Sequence, residues 1–181
     1  MSITTKTGDD GETDLLFSRR IDKDDPRIAA CGDVDELSVA LGLAKVHLQQ
    51  SGFAEKLTTI QQSLIALMGE LASLPEDASQ YTKAKFDKLT MSDTSNLEEW
   101  ISELENAGLN FEGWALAGRS VPSVQLDFAR TVCRRAERSV VTVLKSGSPR
   151  ESNAVVYLNR LSDLLWLMAL AIDSPSAKQL G

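Results

Sequence analysis

Few of the residues that usually announce chemistry occur in this chain. There is a single histidine, His47, and there are two cysteines, Cys31 and Cys133, among 181 residues. Two distant cysteines make neither a disulfide framework nor a zinc knuckle. One histidine cannot build a metal site that needs several convergent ligands, and His47 reads as a surface residue of a helix. A ferritin-like di-iron bundle is excluded as well, because it needs Glu-x-x-His pairs and Ala44 stands three places before His47. No apolar leader segment follows Met1-Ser2-Ile3-Thr4-Thr5, so no signal peptide is expected. Nothing is read as a membrane span of roughly 20 apolar residues. Basic charge is also short. The net charge of −7 argues against general binding to nucleic acid or anionic membranes. The default compartment is the cytoplasm.

What is present is the composition of an ordinary globular protein, with 43% apolar and 25% charged residues, and one domain is expected over residues 1–181. Residues 1–31 are rich in Thr, Asp, Gly and Arg and lack helical periodicity, so they read as an ordered, functional loop segment. Residues 32–173 read as a helical bundle and 174–181 as a tail. A first helix is expected from about Asp33, with Asp33 and Glu36 as a capping-box-like start. A second spans about 54–72 and ends before Pro75, a polar connection covers 76–92, and a short helix covers Asn96–Asn106. A long helix covers Ser123–Leu144. The last runs from Arg150 to Ile172, with Ser148 as N-cap and Pro149 at the first helical position. That final helix is apolar on most sides, which marks it as central or as facing another subunit. The fold class is all-α, an up-and-down bundle of five helices behind an N-terminal loop.

Three constellations carry chemistry. The segment Arg130-Thr131-Val132-Cys133-Arg134-Arg135-Ala136-Glu137-Arg138 has a charge of +3, leaving −10 for the rest of the chain. Arg130, Arg134 and Arg138 line one helical stripe, where like charges repel by a few tenths of a kcal/mol per pair. An anionic ligand would offset this, and arginine's planar fork suits phosphate oxygens. A salt-bridged surface stripe is the other reading, and the stripe alone does not separate the two. The second constellation is Thr5-Lys6-Thr7-Gly8-Asp9-Asp10-Gly11-Glu12-Thr13. Its glycines let the backbone wrap closely, its threonine hydroxyls can donate to phosphate, and Lys6 adds positive charge. Asp9 or Asp10 could hold a Mg²⁺, and Lys23 and Arg27 are further phosphate candidates. It is not a Walker A loop, because no Gly-Lys-Ser/Thr occurs, and a polar surface turn is the competing reading. The third is Asn159 and Asp163, one turn apart on the last, apolar helix.

Together these segments resemble the trimeric, propanediol-utilisation type of ATP:cob(I)alamin (corrinoid) adenosyltransferases. The resemblance spans nearly the whole chain. It rests on Thr-Lys-Thr-Gly-Asp-x-Gly at 5–11, Lys-Asp-Asp-Pro-Arg at 23–27 and Val-Asp-Glu-Leu at 34–37. The arginine segment at 130–138 and Tyr-Leu-Asn-Arg-Leu-Ser-Asp-Leu-Leu at 157–165 complete it. Five motifs in order make the signal specific.

The resemblance implies an enzyme that transfers the 5′-deoxyadenosyl group of ATP to the cobalt of cob(I)alamin, leaving triphosphate, with Mg²⁺ accompanying ATP. It implies a homotrimer with ATP at subunit interfaces. It points to a cobalamin reductase and a B12-dependent enzyme as protein partners, and to neither nucleic acid nor membrane. By position, Thr5, Lys6, Thr7, Gly8, Asp9, Thr13 and Lys23 belong to the triphosphate. Arg134, Arg135, Glu137, Arg138 and Asn159 belong to the nucleotide, and Arg134 is the catalytic residue that neutralises the leaving group. Arg130 and Asp35 form an ion pair across the subunit interface. Trp114 packs against the corrin, with Phe111 as the alternative. The chain departs from the family pattern in having Phe17-Ser18 where Gly-Gly is usual, and Ala117-Gly118-Arg119-Ser120 in place of Pro-Gly-Gly-Ser. A nucleotide- or corrinoid-binding module, or a cofactor chaperone without efficient turnover, is the alternative function.

Overall fold

The computed structural model describes residue 4 and residues 6–109, 116–146 and 153–174. Thr5, Phe111 and Trp114 lie outside the described residues, as does the expected Ser148–Pro149 helix start. The chain opens with strand β1 (Glu12–Asp14), a short 3-10 turn at Leu16–Ser18, and strand β2 (Arg20–Asp22). The strands pair antiparallel, with Thr13 opposite Ile21. Three-residue strands are too short to display a period-two pattern, so the sequence did not predict this hairpin. Among the described residues six α-helices follow: α1 (Pro26–Val46), α2 (Phe53–Leu71), α3 (Ala78–Lys83), α4 (Met91–Asn106), α5 (Val121–Lys145) and α6 (Ala154–Asp173).

Helix α1 begins at Pro26, not near Asp33. Asp25 accepts the Arg27 amide at 2.8 Å and Pro26 occupies the first helical position, a start that suits proline because its missing N–H has no helical partner. Ala30 and Val34 are already buried, so the apolar face begins ahead of the expected start. Asp33 and Glu36 therefore sit in mid-helix. The polar connection expected over 76–92 contains α3, which is too short to show a period. Helix α4 starts earlier than expected, at Met91, because Thr90 and Asp93 form a reciprocal capping box. Ser120 and Ser123 do the same for α5.

Helices α1 and α2 run antiparallel, as Arg27 reaches the Leu71 and Ser73 carbonyls while Gln61 donates to the Ser38 carbonyl. Helix α5 packs on both α1 and α6, and α4 on α6. Along α6, Tyr157, Leu158, Leu161, Leu164, Leu165 and Met168 are buried. Contrary to expectation, α6 is long and apolar enough to cross a membrane by length and composition. More than half of that stretch is nevertheless buried among the other helices, which is how a central bundle helix reads. The five long helices thus enclose one continuous apolar core, and the hairpin lies at the end of the bundle where α1 begins.

Candidate functional site

The N-terminal loop is held from below by Lys23. Its ammonium donates to the Gly8 carbonyl at 2.6 Å, and its amide donates to the Gly11 carbonyl at 2.9 Å. Gly11 has φ +93°, a conformation that L side chains rarely adopt. At Gly8 the reason for glycine is space: a Cβ would meet the Lys23 ammonium at 3.1 Å and the Glu12 carbonyl at 3.2 Å. Lys6 also takes positive φ (61°) and is exposed with Thr7 and Asp9, while Thr13 is half-buried in β1. Asp10 is engaged rather than open. The Glu12 amide holds its carboxyl below the usual carboxylate range, and Arg20 adds to the effect. Arg20 itself reaches Asp10 at 3.2 Å, Glu12 at 2.9 Å and Asp14 at 3.7 Å, drawing the base of the loop onto both strands.

The opposite end of the hairpin is the turn Leu15–Arg19. Phe17 (φ 60°) and Ser18 (φ 56°) are both left-handed there. This is the place where the sequence departs from Gly-Gly. The left-handed geometry is kept without glycine, at a cost of roughly 1–2 kcal/mol per residue. Tertiary contacts offset that cost. Leu16 donates to the Ala72 carbonyl at 2.9 Å, and the Phe17 ring lies 6.3 Å from that of Phe86. Arg19 makes a two-pronged ion pair with the buried Asp77, at 2.8 and 2.6 Å. Sequence spacing offered no signal for this pair, since its members lie 58 residues apart.

The arginine helix divides by face. Arg135 turns to α1, where its Nε donates to Asp33 at 2.8 Å and its Nη2 pairs with Glu36; Ser139 also donates to Asp33. Arg130 pairs with Asp127 on its own helix at 2.9 Å, and Asp35 is exposed on α1. Arg134 is exposed and its guanidinium has no hydrogen-bond or ion-pair partner among the described residues. Arg138 folds back to donate to the Arg134 carbonyl at 2.8 Å. Glu137 accepts from Asn159 of α6 at 3.5 Å, and the Asn159 amide oxygen accepts from Arg160 at 3.1 Å. Asp163 pairs with Arg160 rather than with Asn159. The structure therefore gathers Arg134, Glu137, Arg138 and Asn159 on one surface and turns Arg135 away from it. Among the described residues, no hydrogen bond or ion pair joins this surface to residues 8–23.

Neither thiol is presented for attack: Cys133 is buried with its Sγ donating to the Leu158 carbonyl, and the half-buried Cys31 faces the Met68 carbonyl. Burial pushes the Cys31 thiol up to about 11 and raises Cys133 further. Among the described residues, no group of three or more His, Cys, Asp or Glu could hold a metal ion. Arg27, a phosphate candidate by sequence, instead caps the carbonyl end of α2. It borders a cavity of about 290 Å³ lined by Leu67, Leu71, Tyr81, Leu89 and Val143, away from the Arg134 surface.

Among the described residues, a surface of arginines, Glu137 and Asn159 and, apart from it, a glycine-bent loop suit positioning and charge neutralisation. The family model described as cobalamin adenosyltransferase matches residues 3–172. A corrinoid adenosyltransferase of Citrobacter freundii is 36% identical over 167 residues, covering 92% of each chain.

The chain belongs to the cobalamin adenosyltransferase family.

The corrinoid adenosyltransferase of Bacillus subtilis is 38% identical over 180 residues, covering 97% of this chain and 89% of the relative. Among solved structures, a variant of the PduO-type ATP:corrinoid adenosyltransferase of Lactobacillus reuteri, complexed with cobalamin and ATP, superposes with a TM-score of 0.84. It is 31% identical, and the match covers 99% of this chain and 92% of that one. Membership in the cobalamin adenosyltransferases accords with a site in which the reacting atoms belong to the substrates and the protein supplies the setting.

Proposed function

We propose that this chain transfers the 5′-deoxyadenosyl group of ATP to the cobalt of cob(I)alamin, giving adenosylcobalamin and triphosphate. The observation that carries the reading is Arg134, an exposed guanidinium with no hydrogen-bond or ion-pair partner among the described residues, one turn before Arg138 and the Asn159-bonded Glu137 on α5. In the reaction the cobalt(I) lone pair forms the bond to C5′ and the C5′–O bond breaks. The oxygen of the departing triphosphate keeps that electron pair, so cobalt is formally oxidised by two electrons. The protein's task is to hold ATP and neutralise the growing charge. Arg134 serves the leaving group, with Arg138 beside it. Glu137 and Asn159 are the proposed nucleoside contacts, and Thr5, Lys6, Thr7, Gly8, Asp9, Thr13 and Lys23 the proposed phosphate contacts. Trp114, or Phe111, is the proposed corrin wall. Arg135 is better read as a tie between α5 and α1 than as an ATP ligand, because Asp33 and Glu36 occupy its guanidinium.

Mg²⁺ fits as a companion of ATP rather than as a resident ion. Asp10 is engaged by Arg20, which leaves Asp9 as the carboxylate nearest the phosphates and suits an ion coordinated mainly by phosphate and water. The homotrimer has support from two exposed apolar stripes. Val39, Leu43 and Val46 recur at helical spacing beyond Asp35 on α1, and Val121, Val124 and Phe128 approach Arg130 on α5. Burying such faces against a second copy would bring Asp35 and Arg130 to the boundary. It would also let the loop of one subunit meet the arginine surface of the next. A cytoplasmic setting suits two free thiols. A cobalamin reductase would supply the Co(I) form, and a B12-dependent enzyme would take the product.

Incubating the protein with ATP, Mg²⁺ and chemically reduced cobalamin tests the proposal. Light-sensitive adenosylcobalamin is the expected product. Folded protein that binds ATP yet yields none would instead favour a corrinoid- or nucleotide-binding chaperone.

A further inference from the structure

We infer that Arg19 and Asp77, together with the mutually tilted rings of Phe17, Phe86 and Tyr81, form a clamp that positions the ATP-binding loop from the far end of the hairpin. The inference rests on the proposed nucleotide role of that loop. The hairpin is a lever of three residue pairs, Glu12–Asp22, Thr13–Ile21 and Asp14–Arg20, and at about 3.3 Å per residue it spans about 10 Å. One end is the Gly8–Gly11 turn, tied to Lys23. The other is the Leu15–Arg19 turn, tied to the connection between α2 and α4.

Three features mark that second end as more than a surface turn. Two consecutive non-glycine residues, Phe17 and Ser18, are left-handed, and such geometry persists only where surrounding contacts over-determine it. Asp77 is completely buried, and the guanidinium that satisfies both its oxygens is Arg19, which is itself 44% exposed. A buried carboxylate is strongly disfavoured without its partner, so Arg19 cannot swing away cheaply. The rings continue the contact inward, Phe17 on Phe86 at 6.3 Å and Phe86 on Tyr81 at 5.2 Å. Tyr81 in turn donates to the Asp87 carbonyl at 2.9 Å. The Leu16 amide bond to the Ala72 carbonyl closes the clamp onto the end of α2. With this end pinned, Thr13 and Lys23 keep a fixed register beneath the loop. Arg19 and Asp77 are positioning residues and need not touch ATP.

The test compares the wild-type protein with Asp77→Asn, Arg19→Gln, Arg19→Lys and Phe17→Ala. ATP affinity is measured by calorimetry, amide hydrogen exchange is followed at residues 7–11, and steady-state kinetics and melting temperature are recorded. Arg19→Gln and Asp77→Asn are expected to weaken ATP binding about tenfold and raise KM for ATP in step. kcat at saturating ATP should stay within about twofold, as for lost binding that is equal in ground and transition states. Exchange at Gly8 and Gly11 should quicken even without nucleotide, and Arg19→Lys should recover part of the loss. Should Asp77→Asn or Arg19→Gln fail to fold, Phe17→Ala, which leaves the ion pair intact, carries the same comparison with the same expected loss of ATP affinity and faster loop exchange. Folded variants with unchanged loop exchange and unchanged ATP affinity would overturn the clamp. A wild-type protein that binds no ATP would sink the functional reading instead, while the exchange data would still decide whether the clamp holds the loop.

Discussion

The hairpin at residues 12–22 and the bundle behind it are stabilised by opposite means. In the bundle, apolar side chains at helical spacing are removed from water, and α6 alone buries Tyr157, Leu158, Leu161, Leu164, Leu165 and Met168. Each buried leucine contributes about 2 kcal/mol through its area. In the hairpin, only Leu15 is buried. Shape there comes from charge and hydrogen bonding: Arg20 on three carboxylates, Lys23 on Gly8, and Arg19 on Asp77. The exposed ion pairs of Arg20 contribute little individually, and the pair with a buried member, Arg19 with Asp77, is made to the bundle side. The hairpin therefore needs the bundle to hold it, whereas the bundle needs little from the hairpin. Such a division suits a protein whose rigid core carries a strained, polar loop that binds a charged substrate.

The sharpest way to break the comparison is Arg134→Ala. Turnover should fall by about 100- to 1,000-fold, as for other lost electrostatic donors, with an unchanged melting temperature because the side chain is exposed. A substantial loss of stability would mean that Arg134 belongs to the scaffold. The complementary change is Leu161→Ala, which should cost about 2–5 kcal/mol by opening a cavity in the core; denaturant unfolding measures it. Gly8→Ala should weaken ATP binding about tenfold with little change in global stability, since its new methyl presses on the Lys23 ammonium. Calorimetry showing wild-type affinity would remove the close-approach argument.

The smallest effect concerns Glu70 of α2. Burial raises its carboxyl above the usual range, opposed by the Leu89 amide and Lys88. A raised acid contributes stability below its unfolded value and loses it as pH rises through the folded one, so the charged form is a burden at neutral pH. Glu70→Gln, which retains an acceptor for the Leu89 amide, should slightly raise the melting temperature at pH 7. The gain should fade towards pH 4, where both states carry the protonated acid; melting curves across pH would show it.

Much of this was legible in the residues themselves. The periodicities of α2, α5 and α6 are long enough to place the helices within a few residues, because burial on one face imposes a repeat on the chain. The arginine helix and the glycine-bearing loop stood out by composition alone. The hairpin and α3 were missed because three or six residues carry no readable period. The start of α1 lies at Asp25-Pro26, a capping signal that the acidic pair Asp33 and Glu36 outweighed in the sequence reading.

The sequence by itself determined a helical bundle, its family and a short set of phosphate-facing candidates, since these rest on local spacing and on residue chemistry. Only the tertiary structure decided how four arginines on one helix divide their work. Arg135 meets Asp33 and Glu36 on α1, Arg130 meets Asp127, Arg138 bonds the Arg134 carbonyl, and Arg134 stays uncommitted among the described residues. Only the fold, too, joins Arg19 to Asp77. The reason is physical. A side chain's charge is written in the sequence, but whether that charge is already satisfied depends on the groups that folding brings within about 3 Å of it.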